Sequence, residues 1–253
     1  MTLIMKRGRL TTEKWFSPNL EWGDAFRFVL YKQVPRETVR IGFIKERFNT
    51  VLIDLSLAKD EIFSQFSQTT RNEIRRAERE GISAEEIGIE EFSSFFHRFA
   101  ARAGISPFSE NDRKRYGKHL FNMKAVRHDI PLAVASCLLD ADRERARLFK
   151  AGTMRLETDD PSAKKLAGYA NRLLQWRLIQ RIKDEGFRTY DLGGCVVNSD
   201  NERLNNIGKF KLGFSKNVVA ENNFCSLPFY LKGKILRVMT ALGLSLQPCP
   251  KRR

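Results

Sequence analysis

Residues 131–194 limit the possible folds more tightly than any other stretch of the chain. "PLAVASCLLD" (131–140) and "RARLFKAGT" (145–153) are apolar runs joined by the polar turn "DADRE", the pattern of a β-hairpin. "KLAGYANRLLQW" (165–176) then places Gly168 and Ala170 ahead of a helix expected from about residue 170 to 185. Leu174, Leu178 and Ile182 recur every four residues there, and Leu173 and Ile179 widen the apolar face. Gly186 is expected to close this helix, and "FRTYDLGG" (187–194) reads as a short strand ending in glycines. Strand, turn, strand, glycine segment, helix, strand is the signature of an α/β fold.

A glycine segment at a helix start has two readings. It can be a tight turn. It can also present backbone N–H groups at the positive end of the helix dipole, where a phosphate binds. Gly168 and Ala170 would let a ligand approach the backbone, and Lys164, Lys165 and Arg172 would add mobile charge. The charge of the whole chain makes the second reading worth pursuing: 45 Lys and Arg against 30 Asp and Glu give a formal net charge of +15. Such a balance favours an anionic partner, such as nucleic acid, a phosphorylated cofactor, a nucleotide sugar or an anionic lipid surface.

Other classes are disfavoured. Four widely spaced cysteines, with no C-x-x-C pair and only three histidines, argue against a zinc site or a disulfide framework. No metal is expected. No run approaches the roughly 18–20 apolar residues of a membrane span, and "MTLIMKRGRL" lacks the apolar core of a secretory signal. These features predict a cytoplasmic protein.

Upstream, "AFRFVLYKQ" (25–33), "VRIGFIKER" (39–47) and "TVLIDLS" (50–56) are strand-like, and "SLAKDEIFSQFSQ" is helical. Thr70 and Glu73 form a capping-box pattern and predict a helix starting at residue 70 and stopping at Gly81. Arg71, Arg75, Arg76 and Arg79 along it make either a solvated face paired with nearby glutamates or an anion-binding ridge. Phe92, Phe95, Phe96 and Phe99 form a core-facing stripe. His97 reads as structural, and Ser109 precedes a further helix.

Three segments in order resemble landmarks of the GCN5-related acyltransferase superfamily, in particular the Fem-type aminoacyltransferases of peptidoglycan bridges and acyltransferase-like proteins of surface polysaccharide synthesis. They are "TRNEIRRAEREG" (70–81), "ANRLLQWRLIQRIKDEGFRTYDLGG" (170–194) and "GKFKLGF" (208–214). "KLAGYA" is similar to the superfamily's Q/R-x-x-G-x-G/A loop, with lysine in the first position. The resemblance spans residues 25 to 225. It implies a mixed sheet flanked by helices, with a partial N-terminal half over about 1–90 and a complete half over about 91–225, followed by a basic tail over 226–253.

The resemblance also implies an activity: transfer of an acyl or aminoacyl group onto an amine, or a hydroxyl, of a cell-surface saccharide or its nucleotide- or lipid-linked precursor. Acyl-CoA and aminoacyl-tRNA both remain open as donors, since the chain is shorter than bridge-forming members. Donor phosphates would meet Lys165, Gly168, Tyr169, Ala170, Asn171 and Arg172. Arg71, Arg75 and Tyr190 would meet the acceptor. Asp191, at a strand end, would accept a proton, and Lys211, within F-K-x-x-F, would face the acyl carbonyl or a donor phosphate. Phe210, Phe214 and Trp176 are expected to pack, and Cys195 lacks an identifiable base. The tail, with Lys232, Lys234, Arg237, Lys251, Arg252 and Arg253 and no acidic residue, suits an anionic membrane surface as well as a helix closing the core. A catalytically inactive RNA- or membrane-binding protein is the alternative from another class.

Overall fold

The computed structural model describes residues 2–7, 10–35, 40–196 and 199–241, with side chains as far as residue 235. The described residues fall into two compact units: Phe48–Ala220, and Thr2–Arg47 together with the segment from Glu221 onward. The chain crosses between them within two strands.

The terminal unit opens with β1 (Leu3–Arg7), β2 (Thr11–Trp15) and β3 (Phe28–Val34), with a 3-10 helix at Trp22–Phe26 between β2 and β3. β1 pairs antiparallel with β2, and β2 pairs parallel with β3. Val29, Tyr31, Val34, Phe43 and Phe224 belong to its small apolar core. β4 (Phe43–Asp54) then leads into the central unit as one strand where the sequence suggests two.

In the central unit α1 (Lys59–Gln65) and α2 (Gln68–Arg79) follow. α2 starts earlier than the Thr70–Glu73 pattern predicts. Ser67 is the N-cap and its hydroxyl accepts from Thr70 N at 3.2 Å, while Thr70 itself is buried inside the first turn. The helix ends just before Gly81, as expected. β5 (Ser83–Glu86), α3 (Ile89–Ala103) and α4 (Glu110–Tyr116) come next; Phe92, Phe95 and Phe96 on α3 are buried, and Ser109 caps α4. His97 Nε2 lies 2.8 Å from Phe108 O, a structural contact.

β6 (Leu120–Arg127), β7 (Ile130–Asp140) and β8 (Arg145–Thr153) form an antiparallel meander, with the β7–β8 hairpin where the sequence places it. α5 (Pro161–Asp184), β9 (Thr189–Gly194), α6 (Glu202–Leu212), β10 (Val218–Ser226) and α7 (Leu227–Ala241) complete the chain. The central unit's strand order is β4-β9-β8-β7-β6-β5, with β8–β9 the parallel pair.

Helices cover both faces of this sheet, and β7 shows why. Ala133, Ala135 and Cys137 pack with Ile74 of α2 and with Leu174, Leu178 and Ile182 of α5, whereas Val134 packs with Phe92 and Phe96 of α3. Alternate residues of one strand therefore enter different cores, so the strand reads as a continuous apolar run. Small side chains at 133 and 135 let the long helix lie close. Truncating Leu178, which is fully buried, is expected to cost about 2–5 kcal/mol.

Candidate functional site

The opening of the site is a consequence of strand pairing. β8 and β9 are registered only over Arg145–Arg147 against Thr189–Asp191. Beyond that point β9 continues beside β4, with Gly194 opposite Thr50, and β8 continues beside β7 to Thr153. The two parallel strands part, and a cleft of roughly 680 Å³ opens between β8 from Leu148 onward, Leu192 of β9, and one face of α6. That size suits a small-molecule or cofactor site. Arg203, Ile207, Phe210 and Lys211 line it at i, i+4, i+7 and i+8 of α6, a single helical face. Gly208 lets α6 lie against the end of β9: a Cβ there would come within 2.5 Å of Val196 O.

The lining is basic. Lys150, Arg155, Arg203 and Lys211 contribute cations, against the single carboxylate of Glu202. Phe99, Leu148 and Phe149 supply an apolar wall. A second cleft of about 480 Å³ adjoins the first through Thr153, Arg155, Asn171, Asn206 and Phe210, and adds Gly168, Arg172 and Lys209. Asn171 Oδ1 is buried and has no hydrogen-bond partner among the described residues.

Lys211 is the most distinctive group. Its ammonium donates to Gly194 O at 2.6 Å. Burial, reinforced by the neighbouring Arg147 guanidinium, pushes its pKa down to about 8. The sequence assigned Lys211 to the acyl centre, and the cleft contains it.

Asp191 has a different place from the one expected. It is fully buried beneath the cleft, where Arg145 donates to its Oδ2 at 2.6 Å, Gly193 N donates to its Oδ1 at 2.7 Å, and the Thr50 hydroxyl also donates to Oδ1. Burial alone would favour the neutral acid, but the guanidinium groups of Arg145 and Arg147 reverse this and hold Asp191 below the usual carboxylate range. A sequestered carboxylate held in its ionised form by two guanidinium groups is a poor proton acceptor. Its geometry positions: Gly193, at φ +77°, folds back over it, and a Cβ on Gly193 would come within 3.6 Å of Lys211 Nζ.

The glycine segment is corrected more deeply. α5 begins at Pro161, capped by Asp160, whose carboxylate accepts from Ser162 N and Ala163 N. Lys165–Arg172 are thus helical turns, their N–H groups spent within the helix, and neither the turn nor the phosphate loop exists there. The side chains disperse around the helix. Gly168, Asn171 and Arg172 face the adjoining cleft, Lys165 and Tyr169 face a separate groove with Arg76 and Arg127, and Ala170 is buried in the core. Arg172 is also engaged by Glu73 at 2.8 Å.

The three expected acceptor contacts do not join the cleft. Arg71 donates to Ser64 O and Phe66 O, closing the end of α1. Arg75 lies over the Phe63 ring at 5.6 Å. Tyr190 is fully buried and donates to Gln175 Oε1 at 3.0 Å. Trp176 packs against Phe63 and Phe66, and Cys195 is buried with its pKa raised by that burial, as structural readings require. Sequence reasoning missed Lys150, Arg155, Arg145 and Arg147. The last two had a signal: residues two apart on a strand share a face, and here both reach the same carboxylate. No group of three or more metal-ligating side chains is found among the described residues.

Comparison with solved structures identifies the fold. FemX superposes with a TM-score of 0.62 at 11% identity over 92% of this chain and 86% of that one. The C-terminal domain of a protein assigned as a lysylphosphatidylglycerol synthetase from Agrobacterium fabrum gives 0.61 at 13% identity, covering 94% and 85%. L-PGS from Bacillus licheniformis gives 0.55 at 13% identity, covering 94% and 85%. No family model and no curated protein matches the sequence. The chain therefore shares the fold of FemX and of these synthetase structures, as its motifs suggested. No helix among the described residues is long and apolar enough to cross a membrane.

Proposed function

We propose that this protein transfers an acyl or aminoacyl group from a phosphate-bearing donor, acyl-CoA or aminoacyl-tRNA, onto an amine or hydroxyl of a saccharide-containing envelope precursor. The observation that carries this reading is Lys211, half-buried where β8 and β9 part, in a cleft with four cations and one carboxylate. Such a lining attracts the donor's phosphates. The β8 edge from Leu148 onward, released from β9, offers backbone donors to the acyl carbonyl. Lys211, cationic below about pH 8, steadies the negative charge that develops as the acceptor attacks. Direct attack needs no covalent enzyme intermediate, and buried Cys195 supplies no nucleophile. FemX and a lysylphosphatidylglycerol synthetase domain among the neighbours support an acceptor of the cell envelope.

The test is donor binding, by titration with CoA, acetyl-CoA, and charged and uncharged tRNA at two salt concentrations. Binding of one donor class, weakened at least about tenfold by Lys211→Met, is the expected result. Gly168→Glu adds a second check, since a side chain there meets nothing within 4 Å and would carry a carboxylate toward Arg155, Arg172 and Lys209. Donor binding indifferent to both substitutions would sink the proposal.

A further inference from the structure

The terminal unit carries an exposed apolar cluster that the proposed chemistry does not use. Trp22 is 63% exposed, Phe26 83% and Ile41 86%. They are neighbours. Trp22 and Phe26 stand at the two ends of the 3-10 helix, whose Asp24 and Ala25 face inward. The turn at Ile41–Gly42 lies against that helix so closely that a Cβ on Gly42 would come within 2.8 Å of the Ala25 Cβ. Leu227 N donates to Gly42 O at 2.8 Å and brings the start of α7, with exposed Leu227 and Leu231, to the same turn.

Cations surround this cluster. The Arg40 guanidinium lies 5.8 Å from the Trp22 ring, Lys232 Nζ lies 5.1 Å from the Phe28 ring, and Arg27 and Lys234 are exposed nearby in sequence. The carboxylates of that segment, Glu21 and Asp24, are each engaged by Lys14 at 2.7 Å. Leu227–Ala241 contains no Asp or Glu at all.

We infer that Trp22, Phe26 and Ile41, flanked by Arg27, Arg40, Lys232 and Lys234, form a docking surface for an anionic phospholipid bilayer. These side chains project well into solvent. The headgroup region of a bilayer accepts such groups: indole and phenyl rings settle at the interface, and the surrounding cations meet lipid phosphates. This surface shares Lys232 and Lys234 with the basic tail suggested by the sequence but centres on Trp22, Phe26 and Ile41; residues 242–253 of that tail lie outside the described residues. The inference stands on its own observations and does not depend on the acyl-transfer reading.

Full-length protein mixed with phosphatidylcholine vesicles, and with vesicles containing phosphatidylglycerol, tests it directly by co-sedimentation. Selective binding to the anionic vesicles, weakening with salt, is expected. The three tryptophans make fluorescence informative, because Trp15 and Trp176 are buried and Trp22 is exposed. Vesicles should shift the emission to the blue, and Trp22→Phe should abolish the shift. Phe26→Ser with Ile41→Ser should reduce binding at least about tenfold, and Arg27→Gln with Lys232→Gln by about fivefold per cation. These positions are exposed, and an unchanged melting temperature would confirm that the variants fold. Equal binding to both vesicle types, or binding unaffected by these substitutions, overturns the inference. So does a concentration-dependent dimer, abolished by the same substitutions, in protein that ignores vesicles.

Discussion

Lys14 in the terminal unit and Lys211 in the central unit are both withdrawn from water, yet their environments push them in opposite directions. Burial alone would lower both. At Lys14 the carboxylates of Asp24 and Glu21, each 2.7 Å away, more than offset it, and the pKa rises. At Lys211 the close partner is the Gly194 carbonyl and the close charge is Arg147, and the pKa falls to about 8. Asp191 is near enough to favour the cation but is already committed to Arg145 and Arg147. A lysine with two carboxylates is tied into the fold. A lysine facing a carbonyl, a guanidinium and a cleft retains an unspent charge, which is what an anionic ligand needs.

The largest expected effect comes from removing the buried carboxylate beside Lys211. Asp191→Asn leaves Arg145 and Arg147 part-buried without their carboxylate and should cost about 3–5 kcal/mol in denaturant unfolding. Asp24→Asn is gentler, about 1–3 kcal/mol, because Lys14 keeps Glu21 and the Tyr31 hydroxyl keeps an acceptor at position 24. Equal losses from these two would remove the contrast. Lys211→Met should change stability by no more than about 1 kcal/mol, since it abolishes a buried charge that lacks a dedicated carboxylate, while donor binding collapses. A large stability loss without a binding defect would make Lys211 another Lys14.

A further effect is in the pH profile. Lys211 binds its proton more weakly when folded, about 8 against the ordinary lysine value of 10.5, so the unfolded chain takes up protons in that window. Lys211 should therefore make stability rise as pH increases from about 8 to 10.5, and Lys211→Met should remove that contribution. Lys14, shifted upward, contributes stability that is fully present below 10.5 and fades only above it. Thermal melts of wild type and Lys211→Met across the window check the sign.

How much of this was legible depended on whether the signal was local. The β7–β8 hairpin and the α3 phenylalanine stripe are periodic patterns, and both appear in the structure as read. α5 was misplaced because Gly168 looked like a boundary, although Asp160 followed by Pro161 is an N-cap with proline at the first helical position. A glycine inside a long helix costs only about 1 kcal/mol relative to alanine, too little to end a helix whose apolar face is buried. Lys211, singled out by its motif, lines the cleft. The sequence reads Asp191 as a proton acceptor; that it lies buried against Arg145, Arg147 and Thr50 left no local mark, because those partners come from two other strands. Arg155 and Lys150 carry no local mark, since only the parting of β8 from β9 makes them lining residues.

The terminal unit is assembled from both ends of the described chain, and that has a consequence for biosynthesis. β3 emerges from the ribosome early, but its partner β10 pairs with it through Phe224 against Tyr31 and Cys225 against Leu30, roughly 190 residues later. At translation rates of about 5–20 residues per second, β3 waits on the order of ten to forty seconds with one edge unclaimed. Throughout that interval Val29, Leu30 and Tyr31 lie along an open strand edge of the kind that recruits other chains. Newborn chains, rather than finished ones, are where this protein is most exposed to aggregation and most in need of a chaperone.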